Sequence, residues 1–417
     1  MDRYSDYLLD PRFLSERKLL VPCLAHAVAR SKNIQLPLDV KGAVLECLVV
    51  KAESGAAHCQ QDLVEAQQLL EGDDRLPKYL HAALTHRQSV LARLNADYTA
   101  SCNLIDAYMS KSVMDCRADR RAHAWHLRLF VSRLKNLCLQ ERFEEAHDEI
   151  KRWNILVMPS LMERQVVISF SLIASEIERS LGRLEQSKAY LEDCYNFPLL
   201  LSSDSNRYQI VCALVDIRCA LMELDEAESM IKIELAKLPS IDRLSKAQRR
   251  LLVSSLDVDI ARMSESSFAH ARSTISQLND LFDNMGSQDI SDQLLHIRTL
   301  TASARILHLQ SLFIQAIEEW ERIKVLAKKY SAFRDKGFTF AFSQFSIGCA
   351  HAQIAGVSDN SRQQYQQHTQ AALEAIEEAN SIFRTEKDNY WIPMVTTDWL
   401  PKRRLEIANW LHSTGLT

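Results

Sequence analysis

The chain has 417 residues, 47% of them hydrophobic and 25% charged, with a formal net charge of −4. That balance fits an ordinary folded protein, excludes a low-complexity chain, and argues against a nucleic-acid binder dominated by a basic face. Only 9 Gly and 9 Pro interrupt it, so long helices are favoured over a turn-rich β architecture, and the length suits an array whose core grows with each added unit.

Residues 7–30 predict an amphipathic helix or two, interrupted by Pro11 and Pro22. From residue 41 onward the predicted helices come in pairs, the first two over 41–71 and 80–110. Residues 122–139 give a helix with Trp125, Leu127, Phe130, Leu134 and Leu137 as its apolar set. Gln140-Glu141-Arg142 makes the turn, and Phe143-Glu144-Glu145-Ala146 opens a second helix running through Ile150 and Trp153 toward Pro159. Apolar positions 143, 146, 150 and 153 share one face of an α-helix. Residues 166–197 place Gly182 at the turn between two helices, and residues 208–239 close on Pro239. Residues 248–283 and 294–330 continue the series, and 337–355 with 361–384 form a last pair. Residues 385–417 carry Tyr390, Trp391, Trp399 and Trp410 around Pro393 and Pro401 and read as an aromatic plug. The expected organisation is a helical cap over 1–40, a repeat array over 41–384 and an aromatic-rich cap over 385–417.

Across these pairs one small residue returns: Ala66, Ser101, Ala146, Ser187, Ala227, Ala271 and Ala316, at intervals between 35 and 45 residues. Three positions before each stands an apolar or aromatic residue (Leu63, Tyr98, Phe143, Leu184, Leu224, Phe268, Phe313). Four positions after come Leu70, Ile105, Ile150, Leu191, Ile231, Ile275 and Trp320. A side chain larger than Ala or Ser at a close helix crossing would push the axes apart, so the recurrence predicts the same tight contact in every unit.

Phe143–Ala146, Leu224–Ala227 and the closing Pro239 resemble the second helix of the tetratricopeptide repeat family in its long-period form, with Gly182 matching the turn. The family's first-helix Trp, Gly and Tyr signature is otherwise missing, and the likeness covers roughly residues 41–384. The resemblance implies an all-α, right-handed superhelical solenoid of antiparallel helix hairpins, with first helices lining a concave groove that binds a partner protein or peptide. Sensor arrays of signalling ATPases have a similar look, but no nucleotide-binding module is found in this sequence.

Motifs for chemistry are sparse. There is no phosphate-binding Gly-rich loop, no nucleophile elbow and no His-Glu-x-x-His run. The 13 histidines, including the neighbours His123 and His126 around Trp125, are poorly spaced for a metal. Gly72–Pro77 and Asn279–Asp283 faintly resemble the two metal motifs of class I terpene synthases, but the first lacks its third carboxylate and the second has Asp283 and Ser287 where Ser or Thr and Glu are needed. The 10 cysteines form no Cys-x-x-Cys pair and read as small buried hydrophobes of a reducing compartment. With no signal-peptide pattern at Met1–Asp6 and no apolar run of about 18 residues, the expected location is cytoplasmic, the nucleus being the alternative raised by Pro401–Arg404.

Counting from the small residues, the groove-facing positions of the first helices are His86, Arg93, Arg128, Lys135, Glu176, Arg179, Asp216, Arg298, Arg305 and His308. The cations Arg93, Arg128, Lys135, Arg179, Arg298 and Arg305 are the candidate partner-binding residues, because Arg pairs carboxylates bidentately. The expected function is therefore a non-enzymatic scaffold or adaptor for a protein or peptide partner of acidic character, with no cofactor, no catalytic residue, no metal, no membrane and no nucleic acid. The alternatives are an all-α enzyme of terpene-like metabolism and a sensor or regulatory fragment of a signalling protein. The Lys, Asn and Arg set of the family's chaperone-binding carboxylate clamp is not found, which argues against a chaperone co-factor.

Overall fold

A computed structural model describes residues 37–53, 59–71, 75–95, 97–111, 120–140, 142–151, 161–197, 204–238, 244–285, 290–329, 338–356 and 361–385. The expected N-terminal helices, the aromatic plug, the 401–404 basic cluster, Gly72–Asp74, Trp153, Pro159 and Pro239 lie outside them. The described residues are all-helical, with 16 helices and no strand. They run as α1 (Leu38–Glu53), α2 (Cys59–Glu71), α3 (Lys78–Leu94), α4 (Tyr98–Lys111), α5 (Arg120–Leu139), α6 (Phe143–Ile150), α7 (Leu161–Ser180) and α8 (Leu184–Tyr195). The series continues with α9 (Asp204–Ala220), α10 (Leu224–Ala236), α11 (Lys246–Arg262), α12 (Glu265–Asp283), α13 (Ile290–Leu309), α14 (Phe313–Lys329), α15 (Phe338–Ala355) and α16 (Arg362–Thr385). Contacts divide the chain into two compact units, Met1–Asn206 and Arg207–Thr417.

Each recurring small residue is fully buried: Ala66, Ser101, Ala146, Ser187, Ala227, Ala271 and Ala316 are all 0% exposed. The apolar residues four positions later are buried with them, Trp320 included. Where the small residue is serine, its hydroxyl must find a partner in the dry contact. Ser101 Oγ donates to the Ser89 carbonyl and Ser187 Oγ to the Ser175 carbonyl, each at 2.7 Å and each reaching the first helix of its own pair.

Five of the turns between paired helices share one backbone hydrogen-bond pattern. Asp97, Arg142, Arg183, Glu223 and Leu312 donate their N–H groups to the carbonyls of Ala92, Leu137, Glu178, Arg218 and Leu307, at 2.8–2.9 Å. The small residue four positions on then donates back to the same turn residue, which starts the second helix. In the α7–α8, α9–α10 and α13–α14 turns these bonds close a left-handed cap on the first helix. Gly182 takes that left-handed conformation at φ 74°, and Met222 and Ser311 take it at the equivalent positions, at φ 62° and 61°. The α11–α12 turn departs from the pattern. Met263 is its left-handed residue, Ser264 caps α12 by accepting from the Ser267 N–H at 3.1 Å, and Ala271 falls one turn deeper into its helix.

Within the first unit α1 packs on α2, α3 on α4, α5 on α6 and α7 on α8. Each second helix also packs on the next first helix, and the first helices pack on one another in the order α1, α3, α5, α7. In the second unit each helix from α10 to α16 packs on the next, and α11 also packs directly on α13. Its last pair has a contact the sequence pattern did not single out. Gly348 of α15 lies so close to α16 that a Cβ there would sit 2.6 Å from Ile376 Cγ1 and 3.1 Å from the Ala372 carbonyl oxygen.

Candidate functional site

In the first unit, positions 86, 90 and 93 of α3 and 128, 132 and 135 of α5 repeat at helical spacing, so each set projects from one face. Because α3 packs on α5 and α5 on α7, these faces form one continuous surface. It is hollowed into a recess of about 210 Å³ lined by His86, Arg87, Val90, Arg93, Arg128, Val131, Ser132, Lys135, Val166 and Ser169. No carboxylate is among these described lining residues.

Three of the expected cations, Arg93, Arg128 and Lys135, thus come together, and Arg87 joins them. Among the described residues Arg93 is held by neutral groups only. Its Nη1 donates to Ser132 Oγ at 2.7 Å, to the Ser132 carbonyl at 3.3 Å and to Asn136 Oδ1 at 3.2 Å. Asn136 in turn donates from Nδ2 to Ser101 Oγ at 2.7 Å, so the small residue of the repeat anchors the chain that orients the guanidinium. Burial lowers the Arg93 pKa. Lys135 makes no ion pair among the described residues; burial, then the nearby Arg93 charge, lowers its pKa, while Glu176 acts on it in the opposite sense.

Trp125 supplies an aromatic wall to this cluster. The guanidinium carbons of Arg128 and Arg87 lie 4.8 and 5.9 Å from its ring centre, and the His86 ring meets it edge-on at 5.6 Å. Burial holds the His86 pKa well below 6.5, and the charges of Arg87, Arg128, Arg93 and Lys135 add to the effect. The imidazole is therefore neutral near pH 7, and its Nδ1 is buried without a hydrogen-bond partner.

The remaining expected cations are engaged differently. Arg179 lies outside the recess lining and faces Glu176 at 3.9 Å. In the second unit, Arg298 Nη2 bonds Asp257 at 2.7 Å and Asp216 at 3.4 Å, and Arg305 Nη1 reaches Asp257 at 3.4 Å. Two guanidinium groups and two carboxylates therefore balance one another there. His308 packs edge-on against Phe313, 5.2 Å between ring centres. Sequence reasoning missed Arg87, Ser132 and Asp257. Asp257 carries no sign of its role in the local sequence, since its partners lie 41 and 48 positions away.

The other polar features are structural in geometry. His123 Nδ1 pairs with Glu163 at 2.6 Å and His147 Nδ1 with Glu178 at 2.7 Å, each across two helices. Asn279–Asp283 is the last turn of α12, and Asp283 faces Arg322 at 3.7 Å. No group of three metal-ligating side chains converges among the described residues, and none of the described helices is long and apolar enough to cross a membrane. The described cysteines, which include Cys47, Cys138 and Cys194, are free thiols; burial pushes Cys47 and Cys194 up to about 11, which leaves both protonated near pH 7. A scan against protein-family models finds no match to the chain, and a search of curated proteins finds none either.

Proposed function

We propose that the chain is a non-enzymatic scaffold or adaptor of the tetratricopeptide type, a helix-hairpin solenoid that holds an acidic segment of a partner protein in the recess of its first unit. One observation carries the reading. Arg93 and Lys135 share a partly desolvated recess with Arg87 and Arg128, Arg93 has only neutral hydrogen-bond partners, and no described lining residue is acidic. Arg93 and Lys135, which make no ion pair among the described residues, are destabilised in such a place until an anion arrives, and a carboxylate accepting from them gains charge-assisted hydrogen bonds in a medium that screens poorly. Val90 is the half-buried apolar residue of the lining, while Val131 and Val166 are buried. A cytoplasmic location fits this reading, because partner recognition of this kind needs neither membrane nor cofactor.

Fluorescence anisotropy with a labelled Glu-rich peptide tests the proposal. Binding should weaken as salt rises, and Lys135→Gln should weaken it by about tenfold, the weight of one charge-assisted hydrogen bond. Equal affinity for the wild type and Lys135→Gln, or binding indifferent to salt, would contradict it.

A further inference from the structure

The recess of the first unit holds hydrogen-bond donors that the described residues do not use, and they come from three helices. Arg93 of α3 bonds Ser132 and Asn136 through Nη1 alone, so its Nε and Nη2 make no bond among the described residues. Lys135 of α5 makes no hydrogen bond or ion pair among them, and neither does the half-buried Ser169 hydroxyl of α7. These atoms are open to solvent, unlike His86 Nδ1, which is buried. Because α3 packs on α5 and α5 on α7, all three residues line the one hollow of about 210 Å³. Other charged groups nearby are engaged. Arg87 and Arg128 lie against the Trp125 ring, and Glu176, whose charge is felt at Lys135, faces Arg179 at 3.9 Å.

One carboxylate does not match this set. It carries a single charge and two oxygens in a plane. Arg93 and Lys135 bring two positive charges that repel each other, and Ser169 adds a donor from a third helix. A phosphoryl group on serine or threonine carries nearly two negative charges near pH 7 and three strong acceptor oxygens in a tetrahedral array. Resting on the reading of this recess as a site for a partner segment, we infer that the residue it takes is a phosphoserine or phosphothreonine, held by Arg93, Lys135 and Ser169 together. The open edge of the Arg93 guanidinium is a fork that suits phosphoryl oxygens, Lys135 supplies the second charge, and Ser169 donates to the remaining oxygen.

The test is fluorescence anisotropy of the full chain with three labelled peptides, neutral except at one place that holds phosphoserine, a Glu-Glu pair or unmodified serine. The first two carry almost the same charge, so a difference between them reads donor geometry and not total charge. The phosphoserine peptide should bind at least about tenfold more tightly than the Glu-Glu peptide, and the serine peptide should not bind. Ser169→Ala should weaken the phosphoserine peptide by about tenfold and the Glu-Glu peptide by less, with the far-UV circular dichroism unchanged. Inorganic phosphate should displace the phosphopeptide, but bind more weakly than it does. A Glu-Glu peptide bound as tightly as the phosphoserine peptide would overturn the inference and leave the acidic-segment reading standing. So would a preference that Ser169→Ala does not reduce. Failure of both charged peptides to bind would remove the inference and that reading together. Inorganic phosphate bound as tightly as the phosphopeptide would overturn the peptide as the source of the phosphoryl group.

Discussion

Ser101 shows how one residue can serve the repeat and the candidate site together. It is small enough for the close contact between α3 and α4, and its hydroxyl bonds the Ser89 carbonyl while accepting from Asn136, which bonds Arg93. Ser187 occupies the same position in its own pair, but its hydroxyl partners are Ser175 and the Ser175 carbonyl. Ser101→Ala therefore strands the Asn136 amide in a dry place, at a cost of about 1–3 kcal/mol. Chemical denaturation should show a larger loss for Ser101→Ala than for Ser187→Ala, and only the former should weaken peptide binding. The left-handed turn residues give a second residue-scale prediction. Met222 and Ser311 hold a conformation that costs an L-residue roughly 1 kcal/mol, which glycine avoids. Met222→Gly and Ser311→Gly should each raise the denaturation midpoint. Sequence alone exposed the small residue because its flanking apolar positions repeat with it. It did not expose Met222 or Ser311 as turn residues, because the turn is set by backbone hydrogen bonds and neither side chain announces positive φ.

At the scale of elements, helix pairing was legible from period and turn, and the boundaries of the predicted pairs lie within a few residues of α1–α16. What joins one helix to another by charge was not legible, because the partners are distant in sequence. Arg249 of α11 bonds Asp292 of α13 at 2.8 Å, and Arg207 of α9 holds Glu234 of α10 through paired bonds of 2.6 and 2.7 Å. Burial alone would raise the Glu234 pKa; the bonds from Arg207 and Lys237 override it and bring the carboxyl from 4.5 down to about 2. A carboxyl depressed in the folded state stabilises it fully above 4.5, and that contribution is lost as pH falls from there toward 2. Stability measured across this window should fall with acidification in the wild type. Glu234→Gln should be less stable at neutral pH and show a shallower acid slope.

For the molecule as a whole, the decisive difference is between two treatments of the same residue type. The first unit gathers Arg87, Arg93, Arg128 and Lys135 around a recess with no acidic residue among its described lining, whereas the second pairs Arg298 and Arg305 with Asp216 and Asp257. Counting register from the small residues placed Arg93, Arg128, Lys135, Asp216, Arg298 and Arg305 on first-helix faces, missed Arg87 and Asp257, and could not tell the two cases apart, because charge balance depends on what the neighbouring helices present. A net charge of −4 likewise hides a local basic recess. The scaffold reading rests on Arg93 and Lys135 in that recess, and reversing the sign of these two charges tests it most directly. The double variant Arg93→Glu with Lys135→Glu should lose the Glu-rich peptide and gain a Lys-rich peptide of the same length, with its helical circular dichroism intact. A folded double variant that still binds the Glu-rich peptide as tightly as the wild type would contradict the account.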